Sequence, residues 1–295
     1  MSQDYQEFLK SKRLVVEPSG FDCNHINESL FPFQRDIVKW ALKKGKSAIF
    51  SNTGTGKTRM QLAWADCVCN HTNGNVLILA PLAVNRQTVE EGSKMGIEVN
   101  LCRTQADVKP GINITNYEML DHFDPDKFAG VVLDESGILK SFEGKIRNQI
   151  ITAFNQTPFR LACTATPAPN DHMELGNHAE FLQVMNRVEM LATFFVHDGG
   201  DTSKWRLKGH AVDKFWQWVA SWAVMLSTPS DLGYDDDGFI LPPLNIEEIV
   251  VDRTGYIVRE AQTLQDRRAA RTDSLDLRVA AAKKLIMHIK GSRIY

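Results

Sequence analysis

The chain has 295 residues, of which 43% are hydrophobic and 24% are charged, so it holds enough apolar material for a packed core. This composition excludes a mostly disordered chain. The 34 basic and 36 acidic residues give a formal net charge of −2, which excludes a histone-like polycation but not a local basic face that binds nucleic acid.

The sequence carries no signal of a membrane or secreted protein. No apolar run approaches the roughly 18 residues of a membrane span. The polar N-terminal residues MSQDYQEFLKSKR are not a signal peptide. Five cysteines, an odd number, are scattered along the chain, which favours reduced thiols over a disulfide framework. We therefore expect a cytoplasmic protein without a membrane partner.

Six short apolar runs alternate with helix-like stretches over the first two-thirds of the chain. They lie at residues 47–50, 75–81, 97–102, 113–117, 130–135 and 159–166. Most are aliphatic on both faces, which is typical of buried parallel strands. The alternation predicts an α/β fold, in which a parallel sheet is covered by helices on both faces.

The pattern changes after about residue 170. Residues 172–195 and 213–226 show helical spacing of apolar side chains, whereas 197–210 reads as a glycine-rich polar loop. We predict the tryptophan-rich stretch 213–226 to be a buried helix face rather than a base-stacking surface. The chain is thus predicted to contain four parts: an N-terminal extension at 1–27, the sheet domain at 28–185, a helical insertion at 186–243, and a connector with a basic helical tail at 244–295.

The strongest local signal is a glycine-rich loop between a predicted strand and a predicted helix. It reads Ser51-Asn52-Thr53-Gly54-Thr55-Gly56-Lys57-Thr58. Glycines let the backbone wrap around a phosphate, and the positive end of the following helix attracts the anion. Lys57 can reach the β- and γ-phosphates of a nucleotide, and the Thr58 hydroxyl can bind Mg²⁺. All eight residues are therefore predicted to bind nucleotide, although Ser51 replaces the first glycine of the general pattern.

Two carboxylates end the apolar run at 130–135. Ligands gather at the carboxyl ends of parallel strands, so this strand is predicted to deliver the pair beside the phosphate loop. Asp134 would hold Mg²⁺, directly or through water. Glu135 would position and deprotonate the attacking water. We predict Lys57, Asp134 and Glu135 to be the catalytic residues.

The loop and the acidic pair together resemble the superfamily-two helicases and translocases, most closely their Swi/Snf-like branch. The resemblance implies a RecA-like (P-loop NTPase) lobe that hydrolyses ATP with Mg²⁺ and drives movement along DNA. The acidic box reads Asp134-Glu135-Ser136-Gly137, with Gly137 where the family often has a histidine. The resemblance covers roughly residues 28–255, which is one lobe of a motor that has two.

The resemblance also implies roles for residues outside these two motifs. They are Gln34 for adenine, Thr164 and Thr166 for coupling the γ-phosphate region to nucleic-acid movement, and Pro81, Arg86 and Asn116 for the sugar-phosphate backbone. Backbone contacts are independent of sequence, and the pattern around residues 134–175 favours duplex DNA as the partner.

Too few residues follow Asp252 for a second RecA-like lobe of roughly 150 residues. We therefore expect that lobe to be absent here. Two explanations stay open: the chain is a truncated or split protein, or a protein partner or a second chain supplies the lobe. The motifs leave two alternatives to a DNA-dependent ATPase: a non-hydrolysing module that binds ATP, DNA or a partner, and an RNA helicase. The compact sequence is more typical of bacteria and their phages than of large chromatin remodellers. Such a protein would work in the cytoplasm of a bacterial or phage-infected cell, and on the nucleoid when bound to DNA.

Overall fold

The computed structural model describes residues 16–140, 144–198, 201–240, 249–251 and 263–288. The helices in these residues are α1 (Pro32–Lys44), α2 (Lys57–Thr72), α3 (Asn85–Lys94), α4 (Lys145–Ala153), α5 (Leu175–Phe181), α6 (Arg187–Phe194), α7 (Val212–Ala220), α8 (Leu264–Asp273) and α9 (Leu275–His288). The strands are β1 (Lys46–Ser51), β2 (Asn75–Ala80), β3 (Val99–Leu101), β4 (Ile112–Asn116), β5 (Phe128–Asp134), β6 (Phe159–Thr164), β7 (Phe195–Asp198), β8 (Asp201–Leu207) and β9 (Ala223–Leu226). The chain divides into two compact units, 1–241 and 242–295.

The first unit is built on a parallel sheet. Its strand order across the described residues is β3-β4-β2-β5-β6-β1-β9, and every neighbouring pair runs parallel. Each of the six apolar runs overlaps one of these strands. The predicted α/β fold is therefore confirmed, and the order places β5, β6 and β1 side by side.

The apolar character of the strands follows from burial on both faces of the sheet. Alternate residues of β5 point to opposite sides, so Val131 and Leu133 join one core cluster while Val132 joins the other. In β1, Ala48 and Phe50 are likewise separated from Ile49. A one-residue slip of either strand would exchange these sets, so the two cores fix the register of the sheet.

The helical insertion predicted at 186–243 is wrong in its C-terminal part, because the chain there adds a seventh strand to the sheet. Helix α7 ends at Ala220, and β9 pairs with β1 in the register Ala48↔Ala223. The Ala48 amide also donates to the Trp222 carbonyl at 2.9 Å. The stretch 213–226 is thus a helix followed by a strand. Its apolar spacing fits a helix, but the open edge of β1 supplies hydrogen bonds that only a strand can use.

The segment before α7 also differs from its predicted structure. The glycine-rich stretch 197–210 contributes to an antiparallel hairpin formed by β7 and β8, where His197 faces Trp205. The apolar stretch 172–195 is not one helix, because α5 ends at Phe181 and α6 begins at Arg187. Gln183, between them, has a positive φ of 56°, which interrupts a helix. Apolar residues keep their helical spacing across this break, so the sequence pattern does not reveal it.

The two ends of the chain are described in part. Residues 16–27 of the predicted extension belong to the first unit, where the amides of Ser19, Gly20 and Phe21 donate to the last carbonyls of α1. Helices α8 and α9 lie in the predicted basic tail, while most of the predicted connector lies outside the described residues. No helix in the described part of the chain is long and apolar enough to cross a membrane.

Candidate nucleotide-binding site

Three neighbouring strands bring the main predicted motifs together. The glycine-rich loop follows β1, Asp134 is the last residue of β5, and Thr164 is the last residue of β6. Since β6 pairs with both β1 and β5, these three carboxyl ends are adjacent at one edge of the sheet. A parallel sheet offers its ligand site at this edge.

The glycine-rich loop has the backbone shape that only glycine adopts without strain. Gly54 and Gly56 have φ values of 88° and 84°, and α2 begins directly after Gly56. A Cβ atom at Gly56 would stand 2.3 Å from Nε2 of Gln34. Glycine is therefore required at this position both for its dihedral angles and for space.

Ser51, which departs from the general loop pattern, has a structural role here. It is buried at the end of β1, and its hydroxyl accepts a hydrogen bond of 2.8 Å from Oγ1 of Thr55. The same Thr55 hydroxyl also lies 2.8 Å from the Asn52 carbonyl. The Ser51 hydroxyl thus links the start of the loop to Thr55. A glycine at position 51 has no side chain and could not make this bond.

Lys57 spans the opening of the loop. Its ammonium group donates to the carbonyl oxygen of Ser51 at 2.8 Å and to that of Asn52 at 3.1 Å. The side chain is half-buried, as is that of the adjacent Thr58. The loop carbonyls therefore hold the ammonium group beside the first turn of α2. The ammonium group and the positive end of the helix dipole thus both lie at the loop.

Gln34 is tied to the loop rather than open to solvent. It is 1% exposed, its Nε2 donates to the Thr55 carbonyl at 2.8 Å, and its Oε1 accepts from the Phe31 amide at 3.0 Å. Both polar ends of the amide are therefore engaged within the protein. A contact with adenine, as predicted for Gln34, would have to replace these bonds.

Asp134 is held in a fixed position by two residues that the sequence alone did not single out. Gln61, buried in α2, donates from Nε2 to Oδ1 of Asp134 at 2.7 Å. The hydroxyl of buried Tyr117 donates to the Asp134 backbone carbonyl at 2.6 Å. Gln61 lies four residues after Lys57, on the same face of α2, and this spacing was the available signal.

Burial changes the acidity of Asp134. The side chain is 7% exposed, and its pKa is raised by desolvation, against which the hydrogen bond from Gln61 acts. The nearby Glu135 charge raises the pKa further, whereas Lys57 lowers it. The carboxylate is therefore costly to keep ionised in the absence of a cation, which is a property expected of a metal ligand.

Glu135 occupies a strained turn beside β6. Its φ is 52°, a value that non-glycine residues seldom adopt. Its Oε2 accepts a hydrogen bond of 3.3 Å from Oγ1 of Thr164, and that hydroxyl also accepts from the Thr166 amide at 3.2 Å. The predicted base and the predicted coupling residues are thus in direct contact. Strain of this kind persists where the surroundings hold it, often at functional sites.

The donor set fits a magnesium ion bound together with phosphate. The described residues contain no group of three or more His, Cys, Asp and Glu side chains that could hold a metal by themselves. Mg²⁺, however, commonly takes only one or two protein oxygens and completes its shell with phosphate and water. The Thr58 hydroxyl and the Asp134 carboxylate are oxygen ligands of that kind.

The three predicted nucleic-acid contacts lie at the same edge of the sheet but over other strands. Pro81 follows β2, Asn116 ends β4, and β2 pairs with β4. Arg86 is exposed in the first turns of α3. Asn116 donates to Oε2 of Glu118 at 2.6 Å. Because β5 and β6 separate β2 from β1, this surface is adjacent to the nucleotide site and distinct from it.

The strand order, the glycine loop and the acidic pair define a RecA-like α/β lobe. The Sulfolobus solfataricus SWI2/SNF2 ATPase core domain is similar at 20% sequence identity and a TM-score of 0.57, over 76% of this chain and 50% of that one. The same organism's SWI2/SNF2 ATPase core in complex with dsDNA is similar at 20% identity and a TM-score of 0.56, over 68% of this chain and 45% of that one.

The chain therefore shares the RecA-like fold of these two structures, and it matches about half the length of each. No protein-family model matches the sequence, and no curated protein matches it.

Replacing Asp134 with asparagine is expected to stabilise the fold while weakening Mg²⁺-dependent ATP binding. The folded protein raises the pKa of Asp134, so the ionised form lowers stability once the pH is above both the unfolded and the folded pKa. Asparagine removes this cost and keeps an oxygen acceptor for Gln61. Thermal unfolding should show a higher Tm for Asp134→Asn at neutral pH, and ATP affinity should fall by roughly tenfold or more.

The sign of the pH effect gives a second check on this variant. Below the ordinary pKa of aspartate the wild-type side chain is neutral in both states, so the Tm advantage should vanish there. Asp126→Asn, an exposed change before β5, serves as the control and should leave the Tm unchanged at both pH values. An equal Tm for Asp134→Asn and wild type at neutral pH would contradict the assigned cost of ionisation.

Proposed function

We propose that this chain is the ATP-binding lobe of a DNA-dependent ATPase of the Swi/Snf-like type. The observation that carries the proposal is the meeting of the glycine loop, Asp134 and Glu135 at the ends of three neighbouring strands. The direct contact of Glu135 with Thr164 adds a connection from the acidic pair to the segment after β6. A glycine-rich turn that arose by chance would not be expected to lie beside two carboxylates at neighbouring strand ends.

Each residue has a defined task in this proposal. Lys57, now held by two loop carbonyls, would exchange them for the β- and γ-phosphate oxygens of ATP. Thr58 and Asp134 would hold Mg²⁺, which neutralises the charge that develops on the phosphates. Gln61 and Tyr117 would keep Asp134 in place.

Glu135 would act as the general base for hydrolysis. Its carboxylate accepts a proton from water while the water oxygen forms a bond to the γ-phosphorus, and the bond from that phosphorus to the bridging oxygen of ADP breaks. The products are ADP and inorganic phosphate. A second lobe, in the same protein or in another chain, would supply the arginine that typically contributes about 10³–10⁵ to turnover in such sites.

DNA is the proposed partner for two reasons. One of the similar structures is a SWI2/SNF2 core in complex with dsDNA. In this chain, Pro81, Arg86 and Asn116 share the sheet edge next to the nucleotide site, and they combine a cation, an amide and a loop backbone. Such groups bind phosphates independently of base sequence.

Steady-state ATP hydrolysis, measured with and without duplex DNA and with RNA as competitor, tests the proposal. Turnover that duplex DNA stimulates, and that RNA does not inhibit at equal nucleotide concentration, is the expected result. Turnover that RNA stimulates more strongly than duplex DNA would favour the RNA-helicase alternative. Saturable Mg-ATP binding without turnover, even with DNA present and enzyme in excess, would identify a non-hydrolysing module.

Replacing Arg86 with alanine should weaken DNA binding without changing ATP binding. Removing one phosphate contact is expected to lower the slope of log Kd against log salt by about 1. The control is Lys127→Ala, which removes an exposed cation at the opposite, amino-terminal edge of β5. Titration of labelled duplex DNA at several salt concentrations measures both. Equal slopes for the two variants would remove Arg86 from the DNA surface.

A further inference from the structure

A buried histidine, which the proposed mechanism does not use, lies behind the acidic turn. His178 of α5 is fully buried, and its Nε2 is 3.1 Å from the hydroxyl oxygen of Ser136. Ser136 is also fully buried and directly follows Glu135. Burial lowers the pKa of His178 to about 4, so the ring is neutral near pH 7.

The same imidazole also contacts the strand that leads into the phosphate loop. Its ring packs edge-to-face on Phe50, with centroids 5.1 Å apart. Phe50 precedes Ser51, the first residue of the loop. His178 therefore touches the end of β1 and the turn after β5, and it does so from the helix that follows β6.

We propose that His178 is a positioning residue for Glu135, acting through its hydrogen bond to Ser136. This inference rests on the proposed function. Glu135 sits at a φ of 52°, a conformation that costs free energy and must be held by its neighbours. Thr164 holds the Glu135 side chain, and Tyr117 holds the preceding carbonyl. The bond between His178 and Ser136 holds the residue that follows, so the turn is fixed from both directions.

A short apolar side chain at position 178 would fill the same core but could not make this bond. A buried serine hydroxyl without a partner would then favour rearrangement of the turn. The position of the Glu135 carboxylate, rather than nucleotide affinity, is the property that should change. This separates positioning from a purely structural role in the core.

Four variants test the inference: Ser136→Ala, His178→Leu, His178→Gln, and the double variant Ser136→Ala/His178→Leu. Leu182→Ala is the control, because it weakens the core at the end of α5 while it leaves the side chains of Ser136 and His178 in place. The measurements are Tm, Mg-ATP affinity, single-turnover hydrolysis with duplex DNA, and amide hydrogen exchange over residues 134–138 and 52–58.

We expect Ser136→Ala and His178→Leu to raise exchange over 134–138 by roughly tenfold and to lower the hydrolysis rate by a similar factor. Exchange over 52–58 and Mg-ATP affinity should stay within about twofold of wild type. His178→Gln keeps a side-chain amide that can bond to the hydroxyl, so it should recover most of the rate.

The double variant separates the two explanations. It leaves neither partner buried without a hydrogen bond, so its Tm should recover toward wild type. A positioning role predicts that its rate stays low and its exchange stays high, no worse than in either single variant. Recovery of rate and exchange together with Tm would overturn the inference.

Failure of the proposed function remains distinguishable from failure of the inference. If wild type binds Mg-ATP but never hydrolyses it, the ATPase proposal fails, and exchange over 134–138 alone decides whether His178 holds the turn. Unchanged exchange in both single variants would refute the role of His178 even if hydrolysis is robust.

Discussion

Lys57→Ala is expected to lower Mg-ATP affinity by roughly 100-fold while the protein stays folded. Lys57 stands at the first turn of α2, and the loop carbonyls hold its ammonium group at the site where the proposed function requires the phosphates of ATP. Charge-assisted hydrogen bonds contribute about 1.5–3 kcal/mol each, and 1.4 kcal/mol corresponds to a tenfold change in affinity. Loss of two phosphate contacts therefore accounts for the expected effect.

The fold should tolerate this change because the bonds that Lys57 makes are near solvent. The carbonyls of Ser51 and Asn52 can bond to water when the ammonium group is removed. Titration with a fluorescent ATP analogue measures affinity, and thermal unfolding measures stability. Lys39→Ala, which removes an exposed lysine of α1, is the control. Equal ATP affinity in Lys57→Ala and wild type would remove Lys57 from the nucleotide site.

Glu135→Gln is expected to reduce hydrolysis by about 10²–10⁴ and to leave Mg-ATP affinity nearly unchanged. The amide cannot accept the proton of the attacking water, but its oxygen can still accept the hydrogen bond from Thr164. Glutamine also has the same length and the same backbone preferences, so the turn at a φ of 52° should survive. The variant therefore isolates the chemical step from the geometry.

Single-turnover hydrolysis with excess protein and duplex DNA is the measurement that decides this prediction. Glu90→Gln, an exposed change on α3, is the control and should hydrolyse ATP at the wild-type rate. A Glu135→Gln variant with wild-type turnover would exclude Glu135 as the base. Loss of both binding and turnover would indicate instead that the carboxylate is needed to assemble the site.

Sequence reasoning located the centre of the candidate site because its signals are local. The glycines of the loop, Lys57 and the two carboxylates each stand at the end of a recognisable apolar run. The resemblance to Swi/Snf-like proteins then assigned these motifs to a single expected nucleotide site. Their adjacency followed from one general rule, that parallel strands present their carboxyl ends at one edge.

The side chains that hold the acidic turn in place could not be predicted from the sequence, because their hydrogen-bond partners are distant in the chain. Gln61 and Asp134 are 73 residues apart, and Ser136 and His178 are 42 apart. The spacing of Gln61 from Lys57 indicates a shared helix face, but neither Gln61 nor His178 shows in the sequence which strand end it will meet. Gln34 shows the reverse case, in which a predicted ligand contact is occupied by the Thr55 carbonyl.

The sequence by itself determined the α/β class, six of the strands in the main sheet, and the positions of the loop and the acidic pair at strand ends. Continuous apolar runs and the glycines of a tight loop are local features, and they can be read directly from residue order. The tertiary structure decided that 223–226 is a strand, that Glu135 sits in a strained turn, and which buried side chains hold it. These outcomes depend on which edge or cavity is available once the sheet has formed, and no local pattern encodes that.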